Sequence, residues 1–511
     1  MPNKAQREEL IKQDKEKLYK ESGFDLEYAE KQLKEFTSGR QIKPFFLWNL
    51  YFSEVFHKKG GFDVVIANPP YVKEDTNKKA FDGLRNTECY QGKMDLWYLF
   101  GCKGLDMLKK HGTMCFIATN NWISNDGASK FRNKVVKEGR LIDFIDFGNH
   151  KVFAAGIQTM VYVIVKDTEP PRYELRYGKL LDDKADLTLV SNFLGLKTEM
   201  STPAYEMYTI SFNRQDFTGT YIKFIHPTVN KVVEKIKKAG TFFLSDKEVF
   251  SGIDVMQDFV NKASVEKLGG KFKVGAGIFV ISNKEKSGRL WNKRELEIIN
   301  PYYTTREINR YYANSQNQYW VFYTRAQINQ SIADYPNIKK HLDQFKNVIT
   351  SVNKPYGLHR TRKEEVFLGE KILSVRKCSK PSFAYVDFPC YVARTFLIIK
   401  SNRINLKYLL GILNSKLTEF WLYQKGKLQG KLYQVDKVPL LSIPIKTARQ
   451  EEQNGVTRLV DKILTITKED DYLQNPAKQA QVKQYEKQID QMIYDLYDLT
   501  EDEIKIAEGE K

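Results

Sequence analysis

The residues best suited to chemistry stand four in a row. Asn68-Pro69-Pro70-Tyr71 follows directly on the apolar, β-branched run Phe62–Ala67 (FDVVIA), which reads as a short strand buried on both faces. Prolines fix φ and carry no N–H, so two in succession hold the chain extended with carbonyls turned outward. Asn68 adds a side-chain acceptor at the carboxyl end of the strand, and Tyr71 adds an aromatic face beside it. An exocyclic amino group on a base has its lone pair delocalised into the ring. It becomes nucleophilic only when acceptors hold its hydrogens and draw the nitrogen toward tetrahedral geometry. The Asn68 side-chain oxygen and the Pro69 carbonyl form such a pair, acting by fixed hydrogen bonds rather than as a general base. Tyr71 offers a platform for a base swung out of a duplex, worth about 1–3 kcal/mol per stack. The plainer reading is a proline-rich turn that closes a strand.

The elements around the tetrad decide whether it can be held in place. A helix is predicted from near Asp95 through Leu96, Leu99, Phe100, Leu105 and Leu108, stopped by Lys109-Lys110-His111-Gly112. Asp95 reads as its N-cap. A strand over 113–119, a helix over about 127–138 and strands over 141–147 and 159–165 follow. This alternation predicts an α/β domain with a mostly parallel sheet and ligands at the carboxyl ends of its strands. Upstream, residues 1 to about 36 read as a charged helix. Past residue 200, short strand-like runs (273–281, 319–324, 371–375, 396–400) between loops rich in Asn, Tyr, Lys and Arg predict a separate α+β domain. The tail from Ala448 is helical, and Thr500 with Glu503 forms a capping box. The predicted boundaries are 1–200, 201–445 and 446–511.

Composition narrows the field further. The chain has 511 residues, with 81 Lys+Arg against 63 Asp+Glu, so 81 − 63 gives +18. Such an excess favours a polyanionic partner. Five scattered cysteines (Cys89, Cys102, Cys115, Cys378, Cys390), never CxxC, read as reduced thiols of an intracellular protein with no disulfide frame and no zinc knuckle. Six dispersed histidines give no metal site. No apolar run approaches a membrane span, so a soluble, intracellular protein is expected.

FDVVIANPPYV resembles motif IV of the N6-adenine DNA methyltransferases, and the wider chain is similar to the TaqI-like group and to the fused type IIG restriction-modification enzymes. FLWNLYFSEVF resembles the family's lead into this strand, MDLWYLFGCKGLDMLKKHGTMCFIATNNWI its motifs V and VI, and VFAAGIQTMVYVIVK its motif VIII. LGILNSKLTEFWL and IDQMIYDLYDLTEDEIKIAEG resemble the carboxyl half of such fusions. The resemblance implies a partial Rossmann-like methyltransferase domain, then a target-recognition domain and a helical tail. It implies transfer of methyl from S-adenosylmethionine to a flipped adenine in double-stranded DNA. Asn68 and Pro69 would accept from the adenine amine, Tyr71 would stack on the base, and Phe153 would contact its other side. Asp95 falls in the motif V segment.

The chain departs from that pattern in one respect. The family's cofactor turn, of the type D-P-x-x-G-x-G after a strand, and the acidic residue that holds the ribose are both missing from residues 1–67. Gly275-Ala276-Gly277 lies far downstream, opens no helix and reads as a turn. No cofactor-binding residue is therefore assigned. A separate N-terminal polypeptide supplying that site, a fragment of a split gene and a degraded copy all stay open. So does a non-catalytic DNA-specificity subunit.

Residues 200–445 resemble the target-recognition domain of the same enzymes. Basic residues interleave there with aromatic and polar ones: Arg306 and Arg310; Arg360, Arg362 and Lys363; Arg376 and Lys377; Lys425, Lys427 and Lys431. Such clusters can neutralise phosphates and read base edges, although each alone is better explained by a solvated surface. Asn300-Pro301-Tyr302-Tyr303 lacks the second proline and reads as a turn.

Overall fold

The computed structural model describes residues 9–17, 27, 30–31, 34–35, 38, 46–154, 156–219, 221–429 and 432–509. Of the helix expected over residues 1–36, residues 9–17, 27, 30–31 and 34–35 are helical, and the rest lie outside the described residues. The chain divides into two units. The first comprises Met1–Trp122, Gly127–Tyr173 and Asn213–Gly219; the second comprises Ile123–Asp126, Glu174–Phe212 and Thr220–Lys511.

The first unit is built on strands β1 (Phe62–Ala67), β2 (Leu108–Thr119), β3 (Gly139–Asp146) and β4 (Thr159–Lys166), in the spatial order β1-β2-β4-β3. β1 runs parallel to β2, with Val65 opposite Met114 and Ala67 opposite Phe116. β4 runs antiparallel to both β2 and β3. Helices α1 (Ser53–Lys59), α2 (Trp97–Met107) and α3 (Ser129–Glu138) accompany the sheet. Side chains alternate along each strand, so each strand sends every second residue to one face. One face carries Met114, Phe116, Ala118, Met160, Tyr162 and Ile164, none more than 2 % exposed. Trp97 of α2 and Phe131 of α3 meet at 5.4 Å, and Trp122 adds a third ring 5.0 Å from Phe131. The approach of helix to sheet is close: a Cβ on Gly104 would stand 2.8 Å from Met114 Sδ.

Several expectations need correction. β1 is an edge strand, not a strand buried on both faces: among the described residues only β2 pairs with it, and Val64 and Ile66 are 54 % and 75 % exposed. The predicted helix stop at 109–112 belongs instead to β2, which begins at Leu108. The register slips between Phe62↔Leu108 and Val64↔Thr113, so the surplus residues are taken up as an irregularity. Cys89 and Cys102 form a disulfide that ties the loop before α2 to the helix, against the expectation of five reduced thiols. The two cysteines stand 13 positions apart in sequence and meet when the loop folds back on α2.

The second unit contains a four-stranded sheet (Tyr391–Val392, Ile299–Tyr303, Tyr319–Phe322, Val280–Ser282, in that order) and a five-stranded sheet (Tyr311–Tyr312, Phe383–Val386, Lys371–Val375, Phe396–Ile399, Val249–Ser251). Asn300–Tyr303, expected as a turn, lies inside a strand. Pro301 stands opposite Trp320, and Tyr302 and Tyr303 are 2 % exposed. Burial of the two tyrosines outweighs the turn preference of Asn-Pro. Of the run 273–281 only Val280 and Ile281 are in strand, which continues to Ser282, and Gly275, at φ +90°, makes a turn as expected. The closing helices Gln450–Thr467, Pro476–Leu496 and Glu501–Glu508 share one apolar core with Leu406–Asn414 and Lys416–Lys425. Thr500 and Glu503 form the predicted capping box.

Candidate active site

The tetrad leaves β1 at its carboxyl end, as its position after FDVVIA requires. Asn68 and Pro70 are exposed, Pro69 is buried and Tyr71 is half-buried. The Tyr71 hydroxyl lies 2.9 Å from Asn68 Oδ1 and 3.1 Å from the Ile117 carbonyl of the adjacent strand. It has one proton to donate between these two acceptors. Phe153, in the β3–β4 connection, places its ring 6.4 Å from that of Tyr71 at 51°. The four tetrad residues and Phe153 are thus brought together.

The chain beyond Tyr71 is clamped. Leu96 N–H donates to the Val72 carbonyl at 2.8 Å, and Glu74 N–H to the Met94 carbonyl at 2.9 Å. Glu74, 8 % exposed, accepts from the Tyr90 hydroxyl at 2.5 Å and from Lys93 N–H at 2.8 Å. These bonds and the Cys89–Cys102 disulfide fix the loop that follows the tetrad.

Asp95 is not the N-cap that its position suggested. Leu96 flanks the first helical residue, and no side chain caps the helix. Burial pushes the Asp95 carboxyl up, opposed by the Trp97 backbone N–H and by the charge of Lys73. Its Oδ1 is buried without a hydrogen-bond partner. Burial likewise raises the Tyr71 phenol, and the Asp95 charge raises it further. Tyr71 is therefore a neutral hydroxyl at physiological pH, a donor beside an acceptor.

Residues at the carboxyl end of β2 were not singled out from the sequence. Trp97 Nε1 donates to Thr119 Oγ1 at 3.0 Å, Thr119 donates to Asn121 Oδ1 at 3.1 Å, and the Tyr98 hydroxyl reaches the same oxygen at 3.3 Å. The available signal was positional: polar residues directly after a buried strand in an α/β sheet.

The fit of S-adenosylmethionine can be tested on the same strand ends. β1 ends in Asn68-Pro69-Pro70, β2 in Asn120-Asn121 and β3 in Phe147-Gly148-Asn149, and none opens into a glycine-rich turn before a helix. In the second unit, a Cβ on Gly277 would stand 2.4 Å from the Val280 carbonyl, and its N–H is taken by Glu285. That Gly-x-Gly is a tight structural turn. The described residues do not fit the cofactor. Nor do any three His, Cys, Asp or Glu among them gather to hold a metal.

All the basic candidates lie in the second unit, and they divide sharply. Arg310, 23 % exposed, donates to Glu486 at 2.6 Å and to the Pro381 carbonyl and Asn414 Oδ1 at 3.2 Å each. Arg362 Nε donates to the Ser251 carbonyl at 2.9 Å, and Arg376 pairs with Asp436. These three side chains are tied within the fold. Arg306, Arg360, Lys363, Lys377 and Lys425 are exposed; the Lys427 side chain and Lys431 lie outside the described residues. An open cleft of about 540 Å³ is lined by Arg325, Thr361, Arg362, Lys363, Glu364 and Glu365.

No helix among the described residues is long and apolar enough to cross a membrane. The family described as Eco57I restriction-modification methylase matches residues 4–153, and the TaqI-like C-terminal specificity domain matches residues 300–445. The type II methyltransferase M.XhoI of Xanthomonas vasicola is 26 % identical over 117 residues, 22 % of this chain and 21 % of that protein. The type II restriction enzyme and methyltransferase RM.Eco57I of Escherichia coli is 29 % identical over 97 residues, 18 % and 10 % of the two chains. The structure of the type IIL restriction-modification enzyme MmeI in complex with DNA shares the fold at TM-score 0.51 and 12 % identity, covering 90 % of this chain and 57 % of that one. The chain therefore spans a tenth to a fifth of these curated relatives and little more than half of the solved structure. The chain thus joins a segment that matches the Eco57I restriction-modification methylase family to one that matches the TaqI-like C-terminal specificity domain.

Proposed function

We propose that this chain is the base-accepting and sequence-reading part of a site-specific adenine-N6 DNA methyltransferase of a restriction-modification system, acting on double-stranded DNA in a prokaryotic cytoplasm. Residues 1–200 accept the base, 201–445 read the DNA, and 446–511 brace the reader. The observation that carries the reading is Asn68 Oδ1, exposed at the carboxyl end of β1 and shared with a hydroxyl whose ring lies 6.4 Å from that of Phe153. An adenine amine entering here displaces the Tyr71 hydroxyl from Asn68 Oδ1. The Ile117 carbonyl, already 3.1 Å away, retains that hydroxyl and holds the ring in place. Asn68 Oδ1 and the Pro69 carbonyl then take the two amine hydrogens, while the rings of Tyr71 and Phe153 grip the base.

Methyl donation from S-adenosylmethionine is assigned to a glycine-rich turn outside the described residues, because the described residues do not fit that cofactor. Among the exposed cations, Arg306, Arg360, Lys363, Lys377 and Lys425 are assigned to DNA phosphates or base edges. The test is transfer of labelled methyl from S-adenosylmethionine to unmodified DNA, with the chain alone and with its candidate partner. Wild type with the partner should transfer and Asn68→Ala should not. Transfer undiminished in Asn68→Ala overturns the mechanism. Salt-sensitive, sequence-selective DNA binding with no transfer under either condition favours the non-catalytic specificity subunit instead.

A further inference from the structure

Two carboxyls are buried beside the chain that leaves the tetrad, and they are used differently. Glu74 is 8 % exposed and both its oxygens are taken: Oε1 accepts from the Tyr90 hydroxyl at 2.5 Å and Oε2 from Lys93 N–H at 2.8 Å. Asp95 is 5 % exposed, and its Oδ1 is buried with no hydrogen-bond partner. It does not cap α2. A buried carboxyl with an unused oxygen costs stability, so holding the fold together gives no reason for a charge at this position. Asp95 forms an isolated antiparallel bridge with Lys73, two residues past Tyr71. The bridge is flanked by the bonds from Leu96 N–H to the Val72 carbonyl and from Glu74 N–H to the Met94 carbonyl. Bridged Cα atoms stand about 5 Å apart and two extended residues span about 7 Å, so the carboxyl is a near neighbour of Tyr71. Lys73 carries the opposite charge but is exposed, where water screens it, whereas the carboxyl is buried. Burial raises the Tyr71 phenol and the Asp95 charge raises it further, so the potential of the carboxylate reaches the phenol oxygen.

We propose that the Asp95 carboxylate sets a negative potential at the tetrad that favours positive charge on an amine bound to Asn68 Oδ1. The phenol oxygen lies 2.9 Å from Asn68 Oδ1, where an amine stands once it has displaced the hydroxyl. Phenol and amine therefore feel nearly the same potential, and a potential that resists a phenolate there favours an aminium. The use of that potential rests on the methyltransfer reading. In that reading the amine lone pair forms the new N–C bond while the bond from carbon to a sulfonium-class donor breaks, its electron pair staying on sulfur. The nitrogen then carries the positive charge until one of its two protons passes to water. Asn68 Oδ1 and the Pro69 carbonyl orient that nitrogen but are neutral. Asp95 supplies a full charge, fixed in a buried site before the reaction begins, and acts through space rather than by contact.

The test compares the full chain with Asp95→Asn, which keeps the shape of the side chain and removes its charge. Fluorine NMR of Tyr71→3-fluorotyrosine in each background follows titration of the phenol without any turnover. Its acid dissociation constant should rise at least about threefold in Asp95→Asn. With Tyr71 intact, and with the candidate partner and S-adenosylmethionine, Asp95→Asn should lower kcat for methyl transfer about 10–100-fold. KM for DNA should stay within about twofold, and the Tm should be unchanged or higher, since a buried charge has been removed. An unchanged phenol titration overturns the proposal, as does a kcat within about twofold of wild type. So does a Tm loss above about 5 °C, which would show that the carboxyl is a structural tie. Wild type that transfers no methyl, with the titration shifted as expected, overturns the methyltransfer reading while supporting the potential at the tetrad.

Discussion

The tetrad after β1 and the basic loops of the second unit were both nominated as sites, and the structure treats them differently. The tetrad is defined by what its backbone cannot do: two prolines leave carbonyls without a local partner, and Asn68 stands exposed at a strand end. The basic loops stand out in the sequence by their charge, and three of their arginines are tied within the fold. Arg310 holds Glu486 and Asn414, Arg362 holds the Ser251 carbonyl, and Arg376 holds Asp436. A cation on a sequence is as ready to satisfy a buried carbonyl as a phosphate, whereas a rigid acceptor pair has few structural uses.

The largest expected effect sharpens the basic side of this contrast. Arg310→Ala strands Glu486 and the Asn414 carbonyl, and should cost about 3–5 kcal/mol in denaturant unfolding while leaving the salt slope of DNA binding unchanged. Next is Asn68→Ala, which should lower methyl transfer about 10²–10³-fold with an unchanged Tm, since it removes one preorganised acceptor. Tyr71→Ala should cost about 1–3 kcal/mol in transition-state binding through the lost stack, whereas Tyr71→Phe keeps the ring, frees Asn68 Oδ1 and should leave KM equal or lower. Lys363→Ala, at an exposed position, should reduce the slope of log K against log salt by about 1 and leave stability within about 0.5 kcal/mol.

A pH prediction belongs to the same internal cluster. Burial pushes the Asp490 carboxyl up to about 6 from 3.8, opposed by the Lys416 N–H and by Arg310. A carboxyl raised on folding gives stability that is full below pH 3.8 and is lost as pH rises through about 6. Asp490→Asn should flatten that decline in a Tm series across this window.

Much of both units was legible because the signals are local. FDVVIA gave a strand, the apolar spacing from Leu96 to Leu105 gave α2, and Thr500 with Glu503 gave a capping box. What could not be read depends on neighbours. Nothing in FDVVIA tells whether its faces are covered, so an edge strand with Ile66 exposed looked like a buried one. Lys109–Gly112 has the chemistry of a helix stop, but pairing with β1 draws it into β2. Asn300-Pro301 looks like a turn until Tyr302 and Tyr303 are buried in a sheet. The tetrad was legible, while the Ile117 carbonyl and the Thr119–Asn121 network were not, since they meet Tyr71 and Trp97 only through tertiary contact.

The central claim is that this tetrad presents the exocyclic amine of adenine for methylation. The direct measurement is nucleoside mass spectrometry of unmodified DNA after incubation with S-adenosylmethionine and the chain, with and without its candidate partner. N6-methyladenine that appears with wild type and vanishes with Asn68→Ala is the predicted result. A methylated cytosine, or N6-methyladenine that persists in Asn68→Ala, would contradict it.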